Sequence, residues 1–319
     1  MYQKILIPLD GSPFAERILP YVERFITVPD TEIILLRVIE PIQSYIMSHE
    51  AMPLIEYYED TPMREHAEAY LTKIKDELRN LGLRAHAQVM KGDVASSICD
   101  VANAQDIDLI AMTTHGRTGM SRWALGSVAD RVIRTACQPI FLVRGTTEVH
   151  LTEGTPRILV PLDGSPLSER ALTEAKVFAM ETDATIVVVQ AIEWLSDLEA
   201  AEIYASWKSE NEIYEQRHKT ATRYLQQVQE QLRTAGIASE IEVNEGHPAQ
   251  VILDAAEERE IDLIVMSTRG RSGPARWIFG SVADKVLHET THPLLLIRSG
   301  SELSTKPAAE DSVISPARA

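Results

Sequence analysis

The sequence predicts an α/β fold built twice: two tandem doubly wound domains, each a five-stranded parallel sheet flanked by helices. Three observations lead there. Short continuous apolar runs alternate with longer amphipathic stretches, and such a run marks a strand buried on both faces, as in a parallel sheet covered by helices. The pattern also repeats. Pro8-Leu9-Asp10-Gly11-Ser12-Pro13 returns as Pro161-Leu162-Asp163-Gly164-Ser165-Pro166, and Gly126-Ser127 returns as Gly280-Ser281. The offset grows by one residue between the two landmarks, so a single net insertion separates the copies of a duplicated domain; a short solenoid repeat would recur more often. Finally, each copy carries a glycine-rich turn between a strand-like and a helix-like run, the place where an α/β fold meets phosphate.

The elements follow in order. Strands are predicted over 5–9, 33–38, 85–89, 109–112 and 140–143 in the first copy. Their counterparts are 158–162, 186–189, 240–243, 263–266 and 294–297. Each first helix starts at Ser12-Pro13 or Ser165-Pro166, with the serine as N-cap and proline in the first turn. Pro20 is expected to kink or shorten the first of these, whereas Thr173 stands in the corresponding region of the second copy. The second helices are predicted over 63–81 and 213–235, ended by Gly82 and Gly236. The third follow Gly92-Asp93-Val94-Ala95 and Gly246-His247-Pro248-Ala249, and the last occupy 128–135 and 282–289. Right-handed crossovers wind each set of strands into one sheet. The domains are placed at 1–146 and 157–298, with a linker at 147–156 and a polar tail, 299–319, expected to be disordered. Two stretches interrupt the pattern: 41–62, with Tyr45, Met47, Met52, Tyr57 and Tyr58, and 194–212, with Trp194, Tyr204 and Trp207. They read as packing segments with some helix, or as walls of a ligand site or partner surface.

Composition narrows the function. A chain of 319 residues, 45% hydrophobic and 24% charged, suits two soluble domains that each bury a core. The net charge of −16 argues against nucleic acid as a partner, because a phosphate backbone needs a basic face. A nucleotide needs only a local site. No apolar run approaches the ~20 residues of a membrane helix. Met1 to Ile7 lead straight into a strand without the apolar core of a signal peptide. The predicted location is cytoplasmic, with no membrane partner. Cys99 and Cys137 lack metal-ligand spacing and read as two reduced, buried thiols. The nine histidines show no metal-binding spacing either.

In a doubly wound sheet, ligands bind beyond the carboxyl ends of the strands where strand order reverses. The first strand of each copy runs out at Asp10 or Asp163, and the fourth at the glycine loop. If these strands are neighbours, carboxylate and loop face one cleft. The carboxylate can accept from a ribose hydroxyl or a base amine. The loop glycines let the backbone approach a phosphate, and the helix N-terminus behind them presents N–H groups. Ser127 and Ser281 either cap that helix or donate to a phosphate oxygen. Arg117, Arg122, Arg271 and Arg276 are candidate phosphate partners or solvated loop charges. Neither loop is a P-loop, since Leu125 and Phe279 precede the final glycine where no lysine follows, and neither is the G-x-G-x-x-G fingerprint. His115, which aligns with Arg269, lacks the orienting partner and nucleophile that a general base needs and reads as a polar loop residue. The pattern alone specifies a phosphate or nucleotide site.

At this point the chain resembles the universal stress protein family, over 2–144 and 157–298. Family domains open with a strand ending in Pro-x-Asp-Gly-Ser, as at Pro8 to Ser12 and Pro161 to Ser165, and carry a mid-domain Gly-x-x-Ala, as at Gly92 and Ala95 and at Gly246 and Ala249. ATP-binding members show Gly, two residues, Gly, nine residues, Gly, then Ser or Thr. Gly116 with Gly126-Ser127, and Gly270 with Gly280-Ser281, keep the nine-residue spacing. Thr113 and Ser267 stand where the first glycine belongs, and a side chain there either crowds the ligand or adds a hydroxyl hydrogen bond.

The resemblance implies Rossmann-like, adenine nucleotide alpha hydrolase-like domains that bind ATP or another adenine nucleotide, with Mg2+ held by the phosphates. It implies that Asp10 and Asp163 contact adenosine, that Val38 or Ala191 lines the adenine pocket, and that Pro8, Leu9, Pro161 and Leu162 belong to the nucleotide site. The loops would hold the triphosphate, and the nucleotide site of the first copy would include Met112, Thr113, His115, Gly116, Arg117, Gly119, Gly126, Ser127 and Val128. In the second copy the site would include Met266, Ser267, Arg269, Gly270, Arg271, Gly273, Gly280, Ser281 and Val282. No catalytic residue is expected: the acid–base pair or lysine of fast phosphoryl transfer is missing, which leaves at most slow ATP hydrolysis. The expected function is that of a regulatory stress-response factor whose conformation or choice of protein partner follows the nucleotide. The alternatives are a nucleotide-independent interaction protein of the same fold, or a slow ATPase. Family domains pair through the edge of the last strand, so the two copies are expected to form an intrachain pseudo-dimer through 140–143 and 294–297, with a homodimer as the next level.

Overall fold

The structure, a computed structural model, describes residues 2–25, 30–40, 52–114, 125–144, 154–195, 209–268 and 279–298, the side chains of 52–61 excepted. The first copy supplies β1 (Lys4–Pro8), β2 (Glu32–Ile39), β3 (Arg84–Lys91), β4 (Leu109–Thr113) and β5 (Ile140–Val143). The second supplies β6 (Arg157–Pro161), β7 (Thr185–Ile192), β8 (Ser239–Glu245), β9 (Leu263–Ser267) and β10 (Leu294–Ile297). All ten form one sheet in the order β3-β2-β1-β4-β5-β10-β9-β6-β7-β8. Pairing is parallel within each half. At the seam it turns antiparallel, with Leu294 opposite Leu142, Leu295 opposite Phe141 and Leu296 opposite Ile140. Two strands of four residues each would leave exposed apolar edges alone, and here each covers the other.

Alternation along the strands sends side chains to two cores that both run across the seam. Ile5, Leu35, Phe141, Val160 and Leu295 point to one face. Leu6, Leu36, Leu142, Leu159 and Leu296 point to the other. The first face is covered by α1 (Pro13–Glu16), α2 (Leu19–Phe25), α3 (Met52–Asn80), α6 (Pro166–Thr182) and α7 (Glu210–Thr234). The second is covered by α4 (Val94–Ala104), α5 (Ser127–Thr135), α8 (Pro248–Glu258) and α9 (Ser281–Glu289).

Local chemistry accounts for the helix ends. The Ser12 and Ser165 hydroxyls accept from the amides of Ala15 and Ser168, both at 3.2 Å. Helix α6 then runs unbroken for 17 residues. Its counterpart stops at Glu16 and resumes at Leu19, because Pro20 has no N–H for the Glu16 carbonyl. Gly82 takes φ +86° at the end of α3, and the Leu83 amide returns to the Leu78 carbonyl at 3.1 Å.

Two expectations are revised. Helix α3, expected to start at 63, begins at Met52 and runs through Pro62, so the 41–62 stretch does contain helix, continuous with the core element; residues 41–51 and 196–208 lie outside the described residues. Cys99 is buried on α4, but Cys137, expected to be buried as well, is exposed, because it follows α5 on the connection to β5. Both are free thiols.

Candidate functional site

Strand β1 lies beside β4, with Ile5 opposite Leu109 and Leu6 opposite Ile110; β6 lies beside β9 in the same way. The helices that follow β1 pack on one face of the sheet, and the helix that follows β4 packs on the other. A crevice therefore opens above the carboxyl ends of β1 and β4, and again above β6 and β9. The first cleft measures about 880 Å³ and the second about 830 Å³.

The sequence-predicted residues that fall within the described chain line these two clefts. Pro8, Leu9, Asp10, Val38, Met112, Thr113, Gly126, Ser127 and Val128 surround the first. Pro161, Leu162, Asp163, Ala191, Met266, Ser267, Gly280, Ser281 and Val282 surround the second. His115, Gly116, Arg117, Gly119 and Arg122, with Arg269, Gly270, Arg271, Gly273 and Arg276, lie outside the described residues.

The turns that place the carboxylates are built alike. Asp10 Oδ1 accepts from the Ser12 amide at 2.9 Å and from its hydroxyl at 2.5 Å, and Gly11 turns the chain at φ +78°. Asp163 Oδ1 accepts from the Ser165 amide at 3.0 Å, with Gly164 at φ +77°. An aspartate that grips the backbone two residues on is a self-fastened turn. On the facing wall, the Gly126 amide donates to the Thr114 carbonyl at 2.8 Å, and the Gly280 amide repeats this with Thr268. These bonds return the N-termini of α5 and α9 to the ends of the strands that fed them.

One assignment changes here. Gly126 and Gly280 are the N-caps, so Ser127 and Ser281 do not cap; they are exposed in the first helical position. A glycine cap offers the first-turn amides no side-chain acceptor, and the N-terminal end with its positive dipole faces the cleft. Thr113 and Ser267, where the motif has glycine, are only 7% and 8% exposed.

Sequence reasoning missed the wall contributed by the first face of the sheet. Arg37 on β2 reaches the first cleft and donates from Nη1 to the Leu9 carbonyl at 3.2 Å. Its register equivalent on β7 is Gln190: Arg37 lies opposite Val89, and Gln190 opposite Val243. Helix α3 adds Met63, His66 and Tyr70, whereas α7 adds Arg217, Thr220 and Tyr224. The Tyr224 hydroxyl donates to Glu169. Burial, and next the charge of Glu16, push the Tyr70 phenol above its ordinary pKa. The signal was present: Arg37 and Gln190 interrupt otherwise apolar strands.

Among the described residues, no cluster of three or more His, Cys, Asp or Glu side chains is arranged to hold a metal ion. No described helix is long and apolar enough to cross a membrane.

Comparison with known proteins adds the lineage. The model of the Universal stress protein family matches residues 1–144 and again 154–298. Universal stress protein MJ0577 of Methanocaldococcus jannaschii is 31% identical over 157 residues, covering 45% of this chain and 96% of its own. A universal stress protein of Mycolicibacterium smegmatis is 24% identical over 300 residues, covering 92% of this chain and 96% of its own. Among solved structures, a universal stress protein from Archaeoglobus fulgidus has a TM-score of 0.67 at 22% identity, covering 92% of this chain and 96% of that one. A Pseudomonas aeruginosa protein described as a putative universal stress protein has a TM-score of 0.65 at 16% identity, with 93% of each chain covered. At these identities the two structures establish a shared fold.

Proposed function

The chain belongs to the universal stress protein family, and from that premise we propose that it binds ATP or a related adenine nucleotide in its two clefts and serves as a cytoplasmic stress-response regulator rather than as an enzyme. One observation carries the reading. The adjacency of β1 and β4, repeated in β6 and β9, brings an anchored aspartate and a glycine-capped helix N-terminus to the walls of one cleft, twice. The aspartate suits hydroxyl and amine donors, and the helix end suits anionic oxygens.

The residues present fit such a ligand. Asp10 or Asp163 would accept from the nucleoside, Val38 or Ala191 would give the base an apolar wall, and the N-termini of α5 and α9 would face the phosphates. A bound nucleotide would supply negative charge and, with it, a site for Mg2+. The protein's own part is to hold the nucleoside at one wall and the phosphates at the other. Ligand occupancy would thereby tie the β1–α1 turn to α5, and the β6–α6 turn to α9. Such a strap is a means of altering the surface offered to a protein partner.

The test is equilibrium binding of ATP to the purified full chain, compared with Gly126→Trp and Gly280→Trp. Each replacement is expected to abolish one site. Absence of ATP binding by the unmodified chain at millimolar concentration would sink the reading, and turnover faster than about once per second would favour an enzyme.

A further inference from the structure

The two clefts differ most sharply on the first face of the sheet, at the paired positions Arg37 and Gln190. Arg37 is engaged: its guanidinium donates to the Leu9 carbonyl and lies under the β1–α1 turn, where a Cβ on Gly11 would meet Nη1 at 3.5 Å. Gln190 is shorter and uncharged. Its side-chain oxygen is buried and has no hydrogen-bond partner among the described residues, while the residue itself lines the second cleft. Tyr224, which lines the same cleft, donates its hydroxyl to Glu169. A buried amide oxygen without a donor is costly, and native proteins hold such groups where a ligand or water completes them.

The rim changes in the opposite sense. Met63 stands at the mouth of the first cleft, 40% exposed, and Arg217 occupies the corresponding place in the second, its Nη1 donating to the Glu193 carbonyl at 3.3 Å. The first cleft thus has a cation at its floor and a thioether at its rim. The second has an acceptor at its floor and a cation at its rim. Arginine only donates, whereas a glutamine oxygen accepts. Glutamine also donates through its amide nitrogen, so what sets the second cleft apart at this position is an acceptor.

We propose that Gln190 Oε1 is a specificity acceptor. It takes an N–H or O–H of the nucleoside, and it makes the second cleft the one that selects for that donor. The first cleft, with Arg37 in its place, offers that donor no acceptor at this position. This rests on the nucleotide reading above.

The test pairs ligand changes with residue changes. Binding to the full chain is measured for ATP, for purine riboside triphosphate, which lacks the base amine, and for the 2′-deoxy and 3′-deoxy forms of ATP. The proteins are the unmodified chain, Gln190→Leu and Gln190→Met, each with the first site closed by Gly126→Trp and again with both sites open, read by stoichiometry. One analogue is expected to bind the second site about tenfold more weakly than ATP, the scale of one hydrogen bond. That penalty should vanish in both Gln190 variants, while ATP itself weakens to the level of the analogue. Penalties that persist unchanged in folded Gln190→Leu and Gln190→Met overturn the inference and leave nucleotide binding standing. Failure of ATP to bind any of the proteins removes both.

Discussion

The Tyr2 hydroxyl donates to Glu174 Oε2 at 3.0 Å, tying the chain just ahead of β1 in the first half to α6 in the second. The Tyr2 ring is tilted against Phe178 at a centroid distance of 6.0 Å, so the hydrogen bond sits beside an aromatic contact on the same helix. Burial raises the Glu174 pKa, and the Tyr2 donor opposes that rise. The two halves are therefore joined by more than the central strand pair, and this joint responds to pH.

Tyr2→Phe keeps the ring and removes the donor from a largely buried carboxylate, and it should destabilise the protein by about 1–3 kcal/mol near neutral pH. Glu174 has its folded pKa raised above the unfolded value, so its contribution is most favourable below the unfolded pKa and declines as pH rises through the folded one. Losing the donor raises the folded pKa further. The gap between Tyr2→Phe and the unmodified chain should accordingly be small near pH 4 and widest near pH 7. Urea unfolding at the two pH values measures it, and a gap independent of pH would contradict this account.

Arg144 and Arg298 cap each other's domains. Arg144 donates to the His288 carbonyl at the end of α9, and Arg298 donates to the Ile133 carbonyl at 2.7 Å and the Arg134 carbonyl at 3.3 Å at the end of α5. A guanidinium on the last carbonyls satisfies orphan acceptors and complements the helix dipole. Arg298→Ala should cost about 1–3 kcal/mol. Because the lost contact lies between halves, calorimetry should show the single transition broadening toward two. A sharp single transition shifted as a whole would mean that other contacts carry the coupling.

At the seam, Leu295 is fully buried opposite Phe141. Leu295→Ala should destabilise by about 2–5 kcal/mol through lost burial and the cavity left behind. The cluster that holds Leu295 also holds Ile5 of the first half and Val160 of the second, so both halves should lose amide-exchange protection. Loss confined to the second half would show that the cores do not act as one.

The central strands were legible because buried parallel strands are written as apolar runs: 140–143 and 294–297 coincide with β5 and β10, and the other eight differ only at their ends, although the outer strands β3 and β8 are largely polar and only partly buried. Pro20 foretold the break between α1 and α2 through its missing N–H. The cleft residues near strand ends were legible because motif spacing marks them. What remained hidden depends on tertiary placement. A serine after a glycine looks like a cap until backbone angles give that place to Gly126 and Gly280. The opposite fates of Arg37 and Gln190 depend on side-chain reach across a turn, which no local pattern encodes. Cys137 is exposed because of where α5 ends, which a residue-type preference for burial cannot foresee.

Thr113 and Ser267 stand in place of the first glycine of the motif. Crowding of a ligand requires a side chain that projects into the space it would occupy. Both residues end strands, β4 and β9, and are 7% and 8% exposed, so most of each side chain is already packed within the protein. The walls that do project are the exposed N-termini of α5 and α9 at Ser127 and Ser281. Thr113→Gly and Ser267→Gly should therefore shift ATP affinity by less than about threefold, within the scatter expected of a single buried contact. They should cost about 1 kcal/mol of stability, because glycine in a strand gives up packing and adds backbone entropy to the unfolded chain. Titration with ATP and urea unfolding on the same variants separate the two effects. A gain in affinity of tenfold or more in Thr113→Gly would show that the threonine does stand in the ligand's way, and that the first cleft trades binding strength for a stiffer strand end.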